Sequence, residues 1–289
     1  MNNGIDVNKN IVFSVGDNME KFSRNNRVSA ITKILVENPN KVINLNTFTE
    51  MLNAAKSTIS EDIVMIKKAF SALNMGRVET IAGAAGGVKY IVGVGEDESK
   101  SFARELCEMM SDSSRIIPGN FIYMTDIMYN PDVIRKAGAI LASHFIEKSV
   151  DYVVTVQTKG IPLAFEVAKN LGVQLVIVRR DNKVAEGPTV TINYVSGSSG
   201  RIQNMSLPKR SIHKNSKCIF IDDFMKAGGT ALGILDLLKE FESELVGIGI
   251  LVDTVDITKK LVTDYISIID YAGINEEGKA VFLPSKLYR

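Results

Sequence analysis

The sequence predicts an α/β protein in two parts, a winged helix-turn-helix followed by a parallel sheet with flanking helices. Three observations carry that expectation. Apolar residues recur at helical spacing in three short runs between Arg27 and Phe70. Two β-prone runs follow, joined by Ala82-Gly83-Ala84-Ala85-Gly86-Gly87. From Pro131 onward, helical and strand patterns alternate.

Taken in order, residues 1–18 are Asn-rich with one apolar patch, Ile11 to Val15, and read as a flexible extension. Val28, Ile31 and Leu35 then mark a first helix that closes at Asn38-Pro39, because proline disfavours helix in the residue before it. Phe48, Met51 and Leu52 mark a second over Thr47–Ala55. In the stretch Lys56-Ser57-Thr58-Ile59-Ser60-Glu61-Asp62-Ile63, Thr58 and Glu61 have the spacing of a capping box. Ile59, Ile63, Ile66 and Phe70 carry the third helix onward. Val78–Ile81 and Val88–Val92 form a hairpin, the wing. Its glycines match neither G-x-G-x-x-G nor G-x-x-x-x-G-K, so a phosphate loop is not expected there.

The whole chain of 289 residues holds 34 Lys/Arg and 33 Asp/Glu, a formal charge of +1 that argues against a polybasic coat. Charge is unevenly placed. Residues 19–95 hold ten basic and six acidic side chains, net +4, and residues 96–289 are net −2. A basic winged helix is the electrostatic footprint of double-stranded DNA binding. Lys56, Ser57, Thr58 and Ser60, at the start of the third helix, are expected to meet base edges and phosphates. Arg24, Arg27 and Lys89 are candidate contacts to the phosphate backbone. The competing reading is a protein-docking module in which Ser57 and Thr58 only cap a helix.

The second part is expected to span 94–289, after a winged-helix domain over 19–93. A helix containing Phe102, Leu106 and Met109 leads into it. Strands are expected at Asp151–Val156, Val173–Val178, Lys217–Ile221 and Leu245–Val252, with helices at Ile161–Leu171 and Thr230–Phe241. Cys107 and Cys218 form no C-x-x-C, and His144 and His213 are the only histidines, so neither a disulfide framework nor a multi-histidine metal centre is expected. There is no signal-peptide pattern and no apolar run of membrane-spanning length, so no membrane partner is expected. A reduced, cytoplasmic setting is.

Ligands in parallel α/β sheets bind at the carboxyl ends of strands. After Ile221 the chain reads Asp222-Asp223-Phe224-Met225-Lys226-Ala227-Gly228-Gly229-Thr230. Two carboxylates at a strand end can accept hydrogen bonds from sugar hydroxyls. The small residues that follow let backbone N–H groups close on a phosphate at a helix N-terminus, joined by the Thr230 hydroxyl. The bland reading, an acidic turn before a Gly-Gly loop, fits any one piece better than the ordered whole.

Cys218–Thr230 resembles the phosphoribosyl diphosphate (PRPP) motif of type I phosphoribosyltransferases: apolar strand, two acids, then a small residue before Gly-Gly-Thr. Joined to a winged helix, the domain resembles the purine operon repressor family of Gram-positive bacteria. The shared stretches are Lys56–Asp62, Gly83–Tyr90, Thr158–Pro162, Asp181–Lys183, Asn193–Gly197 and Asp222–Thr230, and the resemblance covers nearly all of residues 20–275.

That resemblance implies a type I phosphoribosyltransferase-like sheet and an effector site for PRPP. Thr158, Lys159 and Gly160 would form its diphosphate loop. Lys159 supplies a cation there and Gly160 a close backbone approach. Arg179 and Arg180 would add bidentate contacts or be solvated strand-end charges. Lys183 would open a mobile flap over 181–216. Phe121 and Tyr123 share an expected strand face and could stack on a base, although core packing is the ordinary role of such residues. The family is understood as PRPP sensors without transferase activity. This implies a homodimeric regulator of purine synthesis genes whose operator affinity falls when PRPP binds, with magnesium as an accompanying ion. A catalytically active purine phosphoribosyltransferase with a regulatory role is the alternative, and an RNA-binding attenuator of this fold would not need the wing. Guanosine tetraphosphate, another ribose diphosphate, is expected to compete for the site and favour DNA binding.

Overall fold

The computed structural model describes residues 21–83, 86–119, 121–180, 187–195, 201–255 and 260–289. They fall into two units that meet between Gly93 and Val94. The extension expected over 1–18 lies outside the described residues.

In the first unit, α1 (Arg24–Glu37) starts earlier than its apolar pattern because Ser23 caps it, its hydroxyl accepting from Asn26 N at 3.3 Å. Asn44 caps α2 (Leu45–Leu52) in the same way, and Asn53 ends it in the left-handed region at φ 44°. The third helix, α3 (Lys56–Ala72), corrects the expected capping box. Its N-cap is Ala55, with no side-chain cap, so Thr58 and Glu61 both lie inside the helix. Glu61 instead accepts from Arg24 at 3.1 Å.

Strands β1 (Arg77–Ile81) and β2 (Gly87–Ile91) pair antiparallel as the wing. Ile43 bridges Val88 as a short third strand. Ile31, Leu35, Phe48, Ile59, Ile66, Val78 and Val88 close the core of this unit, so each of its elements is held by the others.

The second unit opens with α4 (Glu96–Met110), which packs against the far edge of the sheet. A two-residue ladder follows, β3 (Ile116–Ile117) with β4 (Phe121–Ile122). Then come α5 (Thr125–Met128) and α6 (Pro131–Ser143), α6 capped by Asn130 with proline in its first turn. The sheet proper begins with β5 (Tyr152–Val156), α7 (Ile161–Leu171) and β6 (Gln174–Val178). A hairpin of β7 (Thr189–Val195) and β8 (Ile202–Pro208) covers part of the region expected to be a flap. The chain returns through β9 (Lys217–Met225), α8 (Gly229–Glu240), β10 (Glu244–Thr254), β11 (Tyr265–Ile274) and β12 (Ala280–Pro284).

The order β12-β11-β10-β9-β5-β6 is parallel throughout except for β12, which runs antiparallel at the edge. From β5 the chain steps outward to β6, and from β9 it steps the other way to β10 and β11. The junction of β5 and β9 is therefore the topological switch point, where a crevice forms beyond the strand ends. All five residues of β5 are buried, as a strand covered on both faces requires. Among the described residues no helix is long and apolar enough to cross a membrane.

Candidate functional site

The crevice follows from strand lengths. β5 stays paired with β9 only as far as Val154 opposite Phe220. β10 follows β9 to Asp253 opposite Met225. Beyond Phe220 the β5 side of β9 is open, and a cleft of about 760 Å³ lies there. The expected strand ended at Ile221, but β9 runs four residues further, so Asp222 and Asp223 are strand residues rather than the start of a loop.

Four segments that are distant in sequence converge on this cleft. Thr158 and Lys159 come from the loop after β5, Arg180 from the end of β6, and Phe121 from β4. The run from Asp222 to Thr230 contributes every member except Ala227. The Gln157–Thr158 peptide bond is cis. Gly160 is not among the residues that line the cleft. A Cβ there would lie 2.8 Å from Asp222 Oδ1 and 2.9 Å from Thr155 Oγ1, so only glycine lets the loop after β5 lie this close to β9.

Asp222 receives the Asp223 N–H on Oδ1 at 3.0 Å. Burial, and then the charge of Asp223, push its carboxyl well above the usual carboxylate range, against the opposing field of Arg180. Further along, Gly228 adopts φ +85° and a Cβ there would meet Val262 Cγ2 at 2.9 Å, so backbone angle and space both demand glycine. That turn sends Gly229 and Thr230 into the first turn of α8, whose N–H groups end at the cleft. Phe224 lies 6.2 Å from Tyr271 with the ring planes inclined at 56°, and Met225 is buried and belongs to the core as well as the cleft edge.

The two arginines separate. Arg180 is exposed and lines the cleft, whereas the Arg179 backbone is bridged to β8, with N–H to Ser206 O at 3.0 Å and the reverse bond at 2.8 Å. Lys183 lies outside the described residues. Phe121 and Tyr123 correct the expectation of core packing, since they are 61% and 45% exposed. Of the two, only Phe121 lines the cleft.

Sequence reasoning missed Gln157, Met124, Thr254 and Tyr271, which also line the cleft. Thr254 and Tyr271 are partners in the β10–β11 register, a placement that no local pattern encodes. The Thr254 hydroxyl is buried and finds no hydrogen-bond partner among the described residues.

On the first unit, Lys56, Ser57 and Ser60 are exposed at the start of α3, and Thr58 is half-buried. Ser60 returns its hydroxyl to Lys56 O at 2.9 Å. Lys89 lies on β2 opposite Glu79. Arg24 pairs with Glu61 at 3.1 Å and approaches Asp62 at 3.4 Å. Arg27 is committed to the interior face of the helices, bonding Asp62 with two nitrogens and Phe22 O with the third at 2.8 Å.

Comparison with known proteins falls along the same division. Residues 23–92 match the family described as the N-terminal domain of the bacterial purine repressor, and residues 124–279 match the phosphoribosyl transferase domain. The chain is 47% identical over 261 residues to the purine biosynthesis transcriptional repressor PurR of Bacillus subtilis, covering 90% of this chain and 92% of that one. It is 41% identical over 260 residues to the purine biosynthesis transcriptional activator PurR of Lactococcus lactis, covering 90% of this chain and 96% of that one. Among solved structures, adenine phosphoribosyltransferase of Saccharomyces cerevisiae superposes with a TM-score of 0.51 at 23% identity, over 58% of this chain and 98% of that one. This last likeness speaks to the fold alone.

Proposed function

The chain belongs to the bacterial purine repressor family, and on that footing we propose that it is a DNA-binding repressor of purine biosynthesis genes whose operator affinity falls when PRPP binds. The observation that carries the PRPP reading is the convergence of Asp222–Thr230 and the Thr158–Lys159 loop on one cleft at the switch point of the sheet. The 5′-phosphate lies on the 226–230 turn, held by backbone N–H groups and the N-terminus of α8. Ribose hydroxyls donate to Asp222 and Asp223. The diphosphate meets Thr158, Lys159 and Arg180, whose cations match its charge.

Magnesium fits as a passenger on the ligand. No cluster of three His, Cys, Asp or Glu exists among the described residues, and this ion commonly binds through one or two carboxylates plus phosphate oxygens. Asp222 and Asp223 are the carboxylates that would serve. Guanosine tetraphosphate carries the same ribose diphosphate chemistry and competes with PRPP, favouring the DNA-bound state.

DNA binding is supported by the exposed Lys56, Ser57 and Ser60 at the start of α3 and by the basic excess of the unit. The protein acts as a homodimer, one winged helix per operator half-site. The Lactococcus relative is named an activator. Repression and activation use the same operator contacts, so the sign follows from where the operator lies relative to the promoter.

PRPP acts only through a difference in affinity between DNA-competent and DNA-incompetent states. A gel shift of an operator fragment at fixed salt, with and without PRPP, tests this directly: unchanged operator affinity removes the reading. A second reading, an active purine phosphoribosyltransferase, is favoured by one observation, the flat Phe121 and Tyr271 rings beside the PRPP-like loop. Incubation with PRPP and each purine base separates the two, since only the enzyme releases nucleotide and diphosphate.

A further inference from the structure

The segment Lys260–Val262, on the way from β10 to β11, lies behind the 226–228 turn and touches each of its residues. Lys260 Nζ donates to Lys226 O at 2.6 Å. Leu261 N donates to Ala227 O at 2.9 Å. Val262 fills the space beside Gly228, where a Cβ would come within 2.9 Å of Cγ2.

Lys260 is itself held in place. Its Nζ pairs with Asp253 Oδ1 at 2.5 Å, and the other oxygen of Asp253 accepts the Tyr265 hydroxyl at 2.9 Å. The ammonium also sits 5.9 Å over the Tyr265 ring. Lys260 is 16% exposed and Asp253 5%, so this is an enclosed pair with a fixed geometry, unlike a solvated surface contact.

Both tethered groups are carbonyls, and that decides the consequence. A planar trans peptide directs its N–H opposite to its C=O. The only cis peptide among the described residues is Gln157–Thr158. Drawing the carbonyls of Lys226 and Ala227 back toward Lys260 and Leu261 therefore turns the N–H groups of Ala227 and Gly228 to the opposite side. A run of N–H groups facing one way is an anion-binding concavity, and its affinity depends on those groups being aimed before the anion arrives.

We propose that Lys260 is a positioning residue for the phosphate end of the cleft: braced by Asp253 and Tyr265, it fixes the 226–228 backbone in the orientation that receives a 5′-phosphate. The inference rests on the reading that this turn takes the 5′-phosphate of PRPP, and it adds a side chain that never touches the ligand. An ion pair that only neutralised Asp253 would be satisfied without the bond to Lys226 O. The lysine has three donors and spends one on the turn.

Calorimetric titration of the full-length protein with ribose 5-phosphate, and separately with inorganic diphosphate, tests it. Lys260→Met should weaken ribose 5-phosphate by roughly tenfold or more, the effect of one lost charge-assisted hydrogen bond. Diphosphate, which meets the Thr158–Lys159 loop instead, should bind as before. Lys260→Arg, which keeps a cationic donor, should recover most of the ribose 5-phosphate affinity. Because Lys260→Met leaves Asp253 enclosed without its cation, the double variant Lys260→Met/Asp253→Asn is the control. It should regain thermal stability and stay weak toward ribose 5-phosphate. Recovery of that affinity in the double variant, or unchanged affinity in Lys260→Met, overturns the inference. Failure of the unaltered protein to bind ribose 5-phosphate overturns the site reading and this inference with it.

Discussion

Arg27 holds Asp62 at two points, Nε to Oδ2 at 2.7 Å and Nη2 to Oδ1 at 3.3 Å, and the carboxylate it grips has no exposed surface. Asp62 sits on the buried face of α3 among Ile59, Ile63 and Ile66. The pair pins the first helix to the third, the one that presents Lys56 and Ser57.

Arg27→Ala should therefore act on stability before it acts on DNA. Removing one partner of an enclosed ion pair costs about 3–5 kcal/mol, lessened here by Arg24 at 3.4 Å from the same carboxylate. Urea denaturation of the winged-helix unit measures the loss. At a temperature where the variant is folded, the salt dependence of its operator binding should match that of the unaltered protein. A slope reduced by about one would return Arg27 to the phosphate backbone.

Lys56→Ala should give the opposite pattern. Lys56 is exposed in the first turn of α3. Its loss should leave the denaturation midpoint in place while operator affinity falls and the salt slope drops by about one. Binding measured at several salt concentrations decides it, and an unchanged slope removes Lys56 from the interface.

Asp222→Asn should trade response for stability. Because burial and Asp223 raise its folded-state pKa, the native protein holds this proton where the unfolded chain has released it. Native stability is thus lost as pH rises from the unfolded value, about 3.9, through the raised folded value. Asparagine carries no such charge, so the variant should melt higher than the unaltered protein at neutral pH. The gain should vanish as pH falls below about 4. PRPP should no longer release the operator from it. An equal melting temperature at neutral pH would show that Asp222 is better solvated than its position indicates.

Gly160→Ala should couple the two halves of the cleft in failure. Its methyl would meet Asp222 Oδ1 at 2.8 Å and Thr155 Oγ1 at 2.9 Å, forcing the loop after β5 away from β9. Overpacking of this kind costs about 1–3 kcal/mol. Diphosphate and ribose 5-phosphate should both bind more weakly, because the displaced groups belong to one loop and one strand at once. Retained affinity for both would mean that the loop yields without disturbing the carboxylates.

Much of this architecture is legible in the sequence where local chemistry and tertiary context agree. Helix α7 falls on Ile161–Leu171 as its apolar spacing and the flanking Gly160 and Gly172 require. The wing and the alternation of the larger unit are equally local. The end of β9 is not, because two aspartates break the apolar run and only pairing with β10 carries the strand to Met225. Thr58-x-x-Glu61 imitates a cap, yet the helix begins at Lys56 and draws Glu61 to Arg24 instead. Arg27 counts as free positive charge until Asp62, 35 positions away, is folded beneath it. Phe121 has a core residue's chemistry and a surface residue's place. Thr254 and Tyr271 reach the cleft only through strand register, so nothing near them in the chain announces it.

Arg179 and Arg180 are neighbours with different attachments. One is stitched by its backbone to Ser206 in the β7–β8 hairpin, and the other faces the cleft. A single peptide bond joins them, and it is stiff. The bridge to the hairpin and the cleft lining are therefore one residue apart along the chain at this point. Arg179 thus fixes where β6 hands over to the hairpin, and with it the point from which the Arg180 side chain sets out.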